Sequence, residues 1–140
     1  MSKVAIVYWS GTGNTEAMAS AVAEGVKAKG AEAVMLTAVE FDASQMDEYD
    51  AVAFGCPSMG SEELEDSEFA PMFEACKSKL SGKKIALFGS YGWGDGEWMR
   101  NWEKECKNNG AVFASDSVIC NEAPDDDAVA ACKALGGALA

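Results

Sequence analysis

The chain has 140 residues, the size of one domain, and at that length folding removes roughly two thirds of the unfolded surface from water. Eleven basic residues oppose 23 acidic ones, and the formal charge of −12 excludes nucleic acid and anionic membrane as natural partners while favouring basic protein surfaces. Histidine is absent, and the five cysteines (Cys56, Cys76, Cys106, Cys120, Cys132) are widely spaced without a C-x-x-C pair, which excludes a disulfide framework, a zinc site and an iron–sulfur cluster.

In chain order, Val4-Ala5-Ile6-Val7-Tyr8 is a short β-branched apolar run, as expected for a strand buried on both faces. Met18, Ala21, Val22, Gly25 and Val26 then recur at helical spacing, with Gly30 as the C-terminal stop. Ala33 to Leu36 predicts a second strand and Ala51 to Gly55 a third, joined by a short helical or irregular link carrying Phe41 and Met46. Phe69, Met72, Phe73 and Cys76 mark a helix near 64–80, and Lys84 to Phe88 a fourth strand. A helix near 95–109, a longer and less uniform strand from Val112 to Cys120, and a closing helix from Asp126 to Leu139 complete the set. Such alternation predicts one α/β domain over 1–140, a doubly wound three-layer sandwich on a mostly parallel sheet. No apolar stretch approaches the roughly 20 residues that span a bilayer, and no signal-like start is present, so a cytoplasmic, unprocessed protein is expected.

Ligands of such sheets sit beyond the carboxyl ends of the strands. Three loops open there: Ser10 to Thr15 (SGTGNT), Gly55 to Glu63 (GCPSMGSEE) and Gly89 to Gly96 (GSYGWGDG). In the first, Gly11 and Gly13 permit tight turns while Ser10, Thr12, Asn14 and Thr15 supply donors beside the free N–H groups of a helix start. That is a nest for a phosphate, or else an ordinary turn capped by Thr12 or Asn14. Asn14-Thr15 follows Gly13 where Walker A needs Lys-Ser/Thr, and Glu16 stands where a dinucleotide fingerprint needs its third glycine. A single phosphomonoester held by neutral donors fits best. In the third loop Trp93 stands between Gly92 and Gly94 with Tyr91 beside it, which reads as a displayed stacking platform or as a lid over the sheet edge. The second loop adds polarizable Met59, the flexible turn at Gly60-Ser61 and the carboxylate of Glu62.

The three stretches YWSGTGNTE, GCPSMGSEELEDSEF and KKIALFGSYGWGDGEW, in this order and spacing, resemble the short-chain flavodoxins, especially those of anaerobic bacteria, over nearly the whole chain. The resemblance implies a five-stranded sheet of order 2-1-3-4-5 and non-covalently bound FMN. It implies that Ser10, Gly11, Thr12, Gly13, Asn14 and Thr15 hold the phosphate, with Ser90 near the phosphate or ribityl chain. Trp93 covers one face of the flavin ring and Met59 the other, Glu62 accepts from ring N3–H, and Pro57, Ser58, Ser61, Tyr91, Gly92 and Gly94 complete the site. The Gly60 carbonyl is expected to accept from N5–H of the semiquinone. Pro57 departs from relatives that carry a phosphate-binding serine there, and Ser61 is aspartate in some relatives.

The implied function is low-potential electron transfer, one electron at a time, cycling mainly between semiquinone and hydroquinone. A monomer without catalytic residues or metal ligands is expected, meeting basic surfaces of redox partners transiently, in anaerobic metabolism. The acidic run Glu62, Glu63, Glu65, Asp66 and Glu68 is expected both to depress the potential and to favour the dipole of the helix near 64–80. A carboxylate about 10 Å from the ring contributes roughly 0.4 kcal/mol in water and about 1.7 kcal/mol at an effective dielectric of about 20, so each acid is worth tens of millivolts. Trp98 and Trp102 read as packing residues, and Cys56 as the one thiol near the flavin. An FMN-dependent reductase needs extra chain for a substrate pocket. A receiver domain needs acids where Tyr8-Trp9-Ser10 stand, and a low-molecular-weight phosphatase needs C-x5-R where Cys56 is followed by Glu62.

Overall fold

Val4 to Val7, apolar without interruption, are fully buried in the strand that forms the middle of the sheet. The structure, a computed structural model, describes residues 2–60 and 62–140. The strands are β1 (Lys3–Tyr8), β2 (Glu32–Thr37), β3 (Ala51–Gly55), β4 (Lys84–Tyr91), β5 (Val112–Phe113) and β6 (Val118–Asn121). The helices are α1 (Asn14–Ala28), α2 (Phe69–Cys76), α3 (Glu97–Asn108) and α4 (Asp126–Leu139). All strand pairs are parallel and the order is β2-β1-β3-β4-β5, with β6 also on β4. The direction of winding reverses between β1 and β3, where a crevice opens at the carboxyl ends.

Each face of the sheet buries its own core. On one side Met18, Val22 and Val26 of α1 meet Cys132, Leu135 and Leu139 of α4 over Val4, Ile6 and Ala53. On the other, Phe69 and Phe73 of α2 and Trp98 and Trp102 of α3 cover Val52, Phe54 and Leu87. Trp102 packs edge-on to both phenylalanines, at 5.5 and 5.7 Å between ring centres, so both tryptophans of α3 are packing residues. Helices α1 and α4 touch backbone to backbone: a β-carbon on Gly136 would lie 2.0 Å from the Val22 carbonyl oxygen, and one on Gly25 2.0 Å from that of Lys133. The first helix ends at Ala28, and Gly30 follows at φ 82° with its N–H on the Lys27 carbonyl.

Three elements depart from the sequence reading. The expected helix near 64–80 shrinks to α2 and a 3-10 turn at Lys77–Lys79, because Glu65 is drawn inward ahead of it and spends its carboxylate on the backbone of residues 67–69. The expected long fifth strand is two pieces. β5 pairs with the start of β4 and β6 with its end, while Ser115 and Ser117 turn their hydroxyls to Asp116 O and Glu103 Oε2 instead of extending the ladder. β4 runs on to Tyr91, carrying Ser90 and Tyr91 to the crevice. The link between β2 and β3 is two 3-10 stretches, Ala38–Glu40 and Ala43–Glu48, whose starts are held by Glu40 Oε1 accepting from Thr37 N and Gln45 Oε1 accepting from Asp42 N.

Candidate functional site

The first loop is a helix start built around a serine. Gly13 holds φ 95° at the N-cap position, and neither Thr12 nor Asn14 caps the helix. Instead Ser10 Oγ accepts from Gly13 N at 3.1 Å and Glu16 N at 3.2 Å. Thr15 is 1% exposed and its hydroxyl has no hydrogen-bond partner. A buried, unpaired hydroxyl beside first-turn N–H groups is what an anion would satisfy.

The second loop leaves β3 still paired to β4, with Cys56 N on Phe88 O and Ser58 N on Ser90 O. It then makes a tight reversal, Met59 N donating to Glu63 O at 2.8 Å and Glu63 N to Met59 O at 3.0 Å. Gly60 sits in it at φ 46°. Ser61 lies outside the described residues. Glu62, at φ 57°, sends its side chain across to the third loop: Oε1 accepts from Asp95 N at 3.1 Å, and Oε2 is buried without a partner. Any β-carbon on Gly94 would come within 1.5 Å of Glu62 Oε1, so this crossing requires glycine at 94.

Below the turn, Glu65 is buried and its carboxylate binds four donors. Oε1 accepts from Glu68 N and Phe69 N at 2.8 Å each, and Oε2 from Ser67 N at 2.9 Å and from the Ser67 hydroxyl. Burial raises its pKa, but the Ser67 hydroxyl and then the three N–H groups outweigh that and hold it down at about 2. The acids at 62–68 therefore precede α2 and do not form its first turn. Cys56 is buried, accepts at Sγ from Glu65 N and donates to Pro57 O, away from the cavity described next. Burial pushes its thiol up to about 12, so its expected approach to the flavin gives way to a structural place under the loop.

Between these loops lies a cavity of about 580 Å³. From the residues singled out in the sequence it takes Gly11, Thr12, Asn14, Pro57, Ser58, Met59, Ser90, Tyr91 and Gly92, and its described wall contains no lysine or arginine. Ser10 and Gly13 instead line a neighbouring groove of about 360 Å³, and Thr15 is buried. Glu62 lines a separate cavity of about 380 Å³ beside Trp98 and Trp102. Trp93 is 62% exposed and outside the cavity wall, as are Gly60 and Gly94. Tyr91 packs on Trp98 at 5.6 Å, and Trp98 Nε1 donates to Cys56 O, fixing the base of the third loop.

Three wall residues were missed in the sequence: Trp9, Glu122 and Ala123. Glu122, at φ 58°, follows β6, and its carbonyl accepts from Ser90 Oγ at 2.9 Å while its N–H donates to Tyr91 O at 2.8 Å. The available signal was topological, because every strand of a parallel sheet delivers its following loop to the same edge. Trp9, directly after β1, was open to the same reasoning. Among the described residues no group of histidine, cysteine, aspartate or glutamate could hold a metal, all five cysteines are free, and no helix is long and apolar enough to cross a membrane.

The family model described as Flavodoxin matches residues 6–135. The chain belongs to the flavodoxin family. It is 49% identical to the flavodoxin of Megasphaera elsdenii, over 98% of each chain, and 45% identical to that of Clostridium beijerinckii, over 86% of this chain and 88% of the relative. The solution structure of two-electron reduced Megasphaera elsdenii flavodoxin superposes with a TM-score of 0.90 at 48% identity over 97% of each chain. A flavodoxin from the domain Archaea gives 0.84 at 27% identity over 98% and 95%. The flavodoxin fold, the short-chain type and FMN as cofactor follow from this membership, as does electron transfer as the protein's work. The residues present fit the cofactor: a helix start whose side-chain donors are hydroxyls and an amide, with one buried hydroxyl unpaired, suits its phosphate even with Glu16 in the first turn, and the cavity is of ligand size.

Proposed function

We propose that residues 1–140 form one FMN-binding domain that carries electrons singly and at low potential between partner proteins, working mainly over the more reducing of its two one-electron steps. The supporting observation is the cavity of about 580 Å³ set between the Ser10–Thr15 loop and the Tyr91–Gly92 edge, with no cation in its described wall. The flavin supplies the electron chemistry; the chain binds, orients and insulates it. Ser10, Thr12, Asn14 and Thr15, with the Gly11 N–H and the Gly13 turn, would hold the phosphate without neutralising its charge of roughly −1.5 to −2. Met59 and the aromatic edge of Tyr91, Gly92 and Trp93 exclude water, with Pro57, Ser58 and Ser90 along the sugar side. Glu62, now held across to the third loop by Asp95 N with its Oε2 unpaired, would turn toward the larger cavity to accept from ring N3–H. The Gly60 carbonyl, in the turn closed by Met59 and Glu63, would serve as a hydrogen-bond acceptor toward the ring edge.

An uncompensated phosphate and nearby carboxylates make added negative charge on the ring unfavourable, which lowers the potential. The chain works as a cytoplasmic monomer with no turnover of its own, touching basic partner surfaces briefly. An anaerobic reductive titration followed by visible absorbance tests this: two resolved one-electron steps, the second well below the first, are expected. A single two-electron step, or oxidation of NAD(P)H by the isolated protein, would overturn the carrier reading in favour of a flavin enzyme.

A further inference from the structure

Trp9 is fixed at three points. Its N–H donates to Gly55 O at 3.0 Å, which ties its backbone to the end of β3. Its ring lies on the phosphate loop, so that a β-carbon on Gly11 would meet Cη2 at 3.0 Å. Its indole Nε1 donates to Glu68 Oε1 at 2.9 Å, across 59 residues of sequence. Glu68 is itself held, because its own N–H donates to the buried carboxylate of Glu65.

Trp9 and Gly11 together form the partition between two spaces. On one side is the cavity of about 580 Å³; on the other is a groove of about 360 Å³ bounded by Tyr8, Glu16, Thr37 and Val39. With the backbone N–H of Trp9 tied to β3, the indole can still rotate, and Glu68 is the polar group bonded to it. Without that bond the ring could swing and join the two spaces, widening the cavity at its phosphate-loop end.

We propose that Glu68 is a positioning residue for the cofactor seat, acting through the Trp9 indole, and that what matters is the acceptor oxygen rather than the negative charge. The inference rests on FMN occupying the larger cavity. Loss of the acceptor removes the bond that holds the indole, and only part of its effect on the wall is transmitted to the ligand, so an effect of about fivefold on affinity is expected.

The test uses cofactor-free protein titrated with FMN, following quenching of flavin fluorescence, together with the near-ultraviolet circular dichroism of the tryptophans. Glu68→Ala should weaken FMN about fivefold and change the indole signal, while Glu68→Gln, which keeps an acceptor and loses the charge, should bind within about twofold of the parent. In the Trp9→Phe background, which has no indole N–H, Glu68→Ala should have no further effect. Equal affinity for Glu68→Ala and the parent, equal weakening by Gln and Ala, or an undiminished Glu68→Ala effect on top of Trp9→Phe would each overturn the proposal. Failure of the parent protein itself to bind FMN would instead overturn the cofactor reading, so the two are separable.

Discussion

The carboxylate of Glu65 accepts a hydrogen bond from the backbone N–H of Phe69 at 2.8 Å, and through it the chain leaving the Met59–Glu63 reversal is tied to the first residue of α2. Because burial is outweighed by hydrogen bonds, the Glu65 pKa falls from 4.5 to about 2 on folding. A carboxyl depressed in the folded state stabilises it above the unfolded pKa, and that stability drains away as pH falls from about 4.5 toward 2. The full linkage is on the order of 3 kcal/mol. Urea midpoints measured from pH 7 to pH 2 should therefore show Glu65→Gln much less stable than the parent at neutral pH, with the gap closing below about pH 4.5. A gap independent of pH would mean that the carboxylate is not ionised in the fold.

Thr15 carries an unpaired buried hydroxyl in the first loop, the one proposed to hold the phosphate. Thr15→Val keeps its shape and removes a group that costs roughly 1–3 kcal/mol when left unsatisfied, so the cofactor-free protein should become more stable by about 1 kcal/mol. FMN should bind about tenfold more weakly, since a hydrogen bond to a charged group is lost, whereas riboflavin, which has no phosphate, should be unaffected. Calorimetric titration with both ligands decides it, and equal weakening of both would move Thr15 away from the phosphate.

Trp93, mostly exposed, makes little contribution to the folded chain. Trp93→Ala should leave the melting temperature without cofactor unchanged, weaken FMN roughly two- to tenfold through loss of an aromatic contact, and raise the second one-electron potential. Unchanged affinity and potential would remove it from the ring site.

With a net charge of −12, electron transfer to a basic reductase should slow steeply as salt rises from about 0.01 to 0.5 M, as the Debye length contracts from about 30 Å to a few Å. Stopped-flow rates across that range are the measurement, and a flat profile would exclude charge steering.

The contact of Gly136 with Val22 predicts that Gly136→Ala overpacks the two helices and lowers stability by about 1–3 kcal/mol. Gly137, whose added carbon would meet the flexible Lys29 side chain at 3.3 Å and Gly25 O at an ordinary 3.8 Å, should tolerate alanine and gain several tenths of a kcal/mol in helix propensity. Thermal melts of the two variants separate these cases.

What was legible in the sequence was whatever rests on local pattern. The unbroken apolar runs of β1 and β3 mark central strands, and the glycine-rich loop before Met18 marks the turn into the first helix. What was not legible depends on distant partners. Leu64 to Glu68 read as a helical turn until Glu65 is seen buried beneath the loop, and Val112 to Cys120 read as one strand because nothing local shows that the two halves pair with opposite ends of β4. Trp9 and Glu122 reach the cavity through topology, and Cys56 was placed by adjacency in sequence when its side chain turns the other way.

The interlock of α1 with α4 also orders events during synthesis. The groove on α1 at Val22 and Gly25 is filled by the last helix of the chain, so the nascent protein leaves the ribosome with that surface bare until Asp126–Leu139 have emerged. β1, α1 and β2 are thus made before the helix that seals them. Chaperone capture, or misassembly between neighbouring nascent chains on one message, should centre on the bare α1 face.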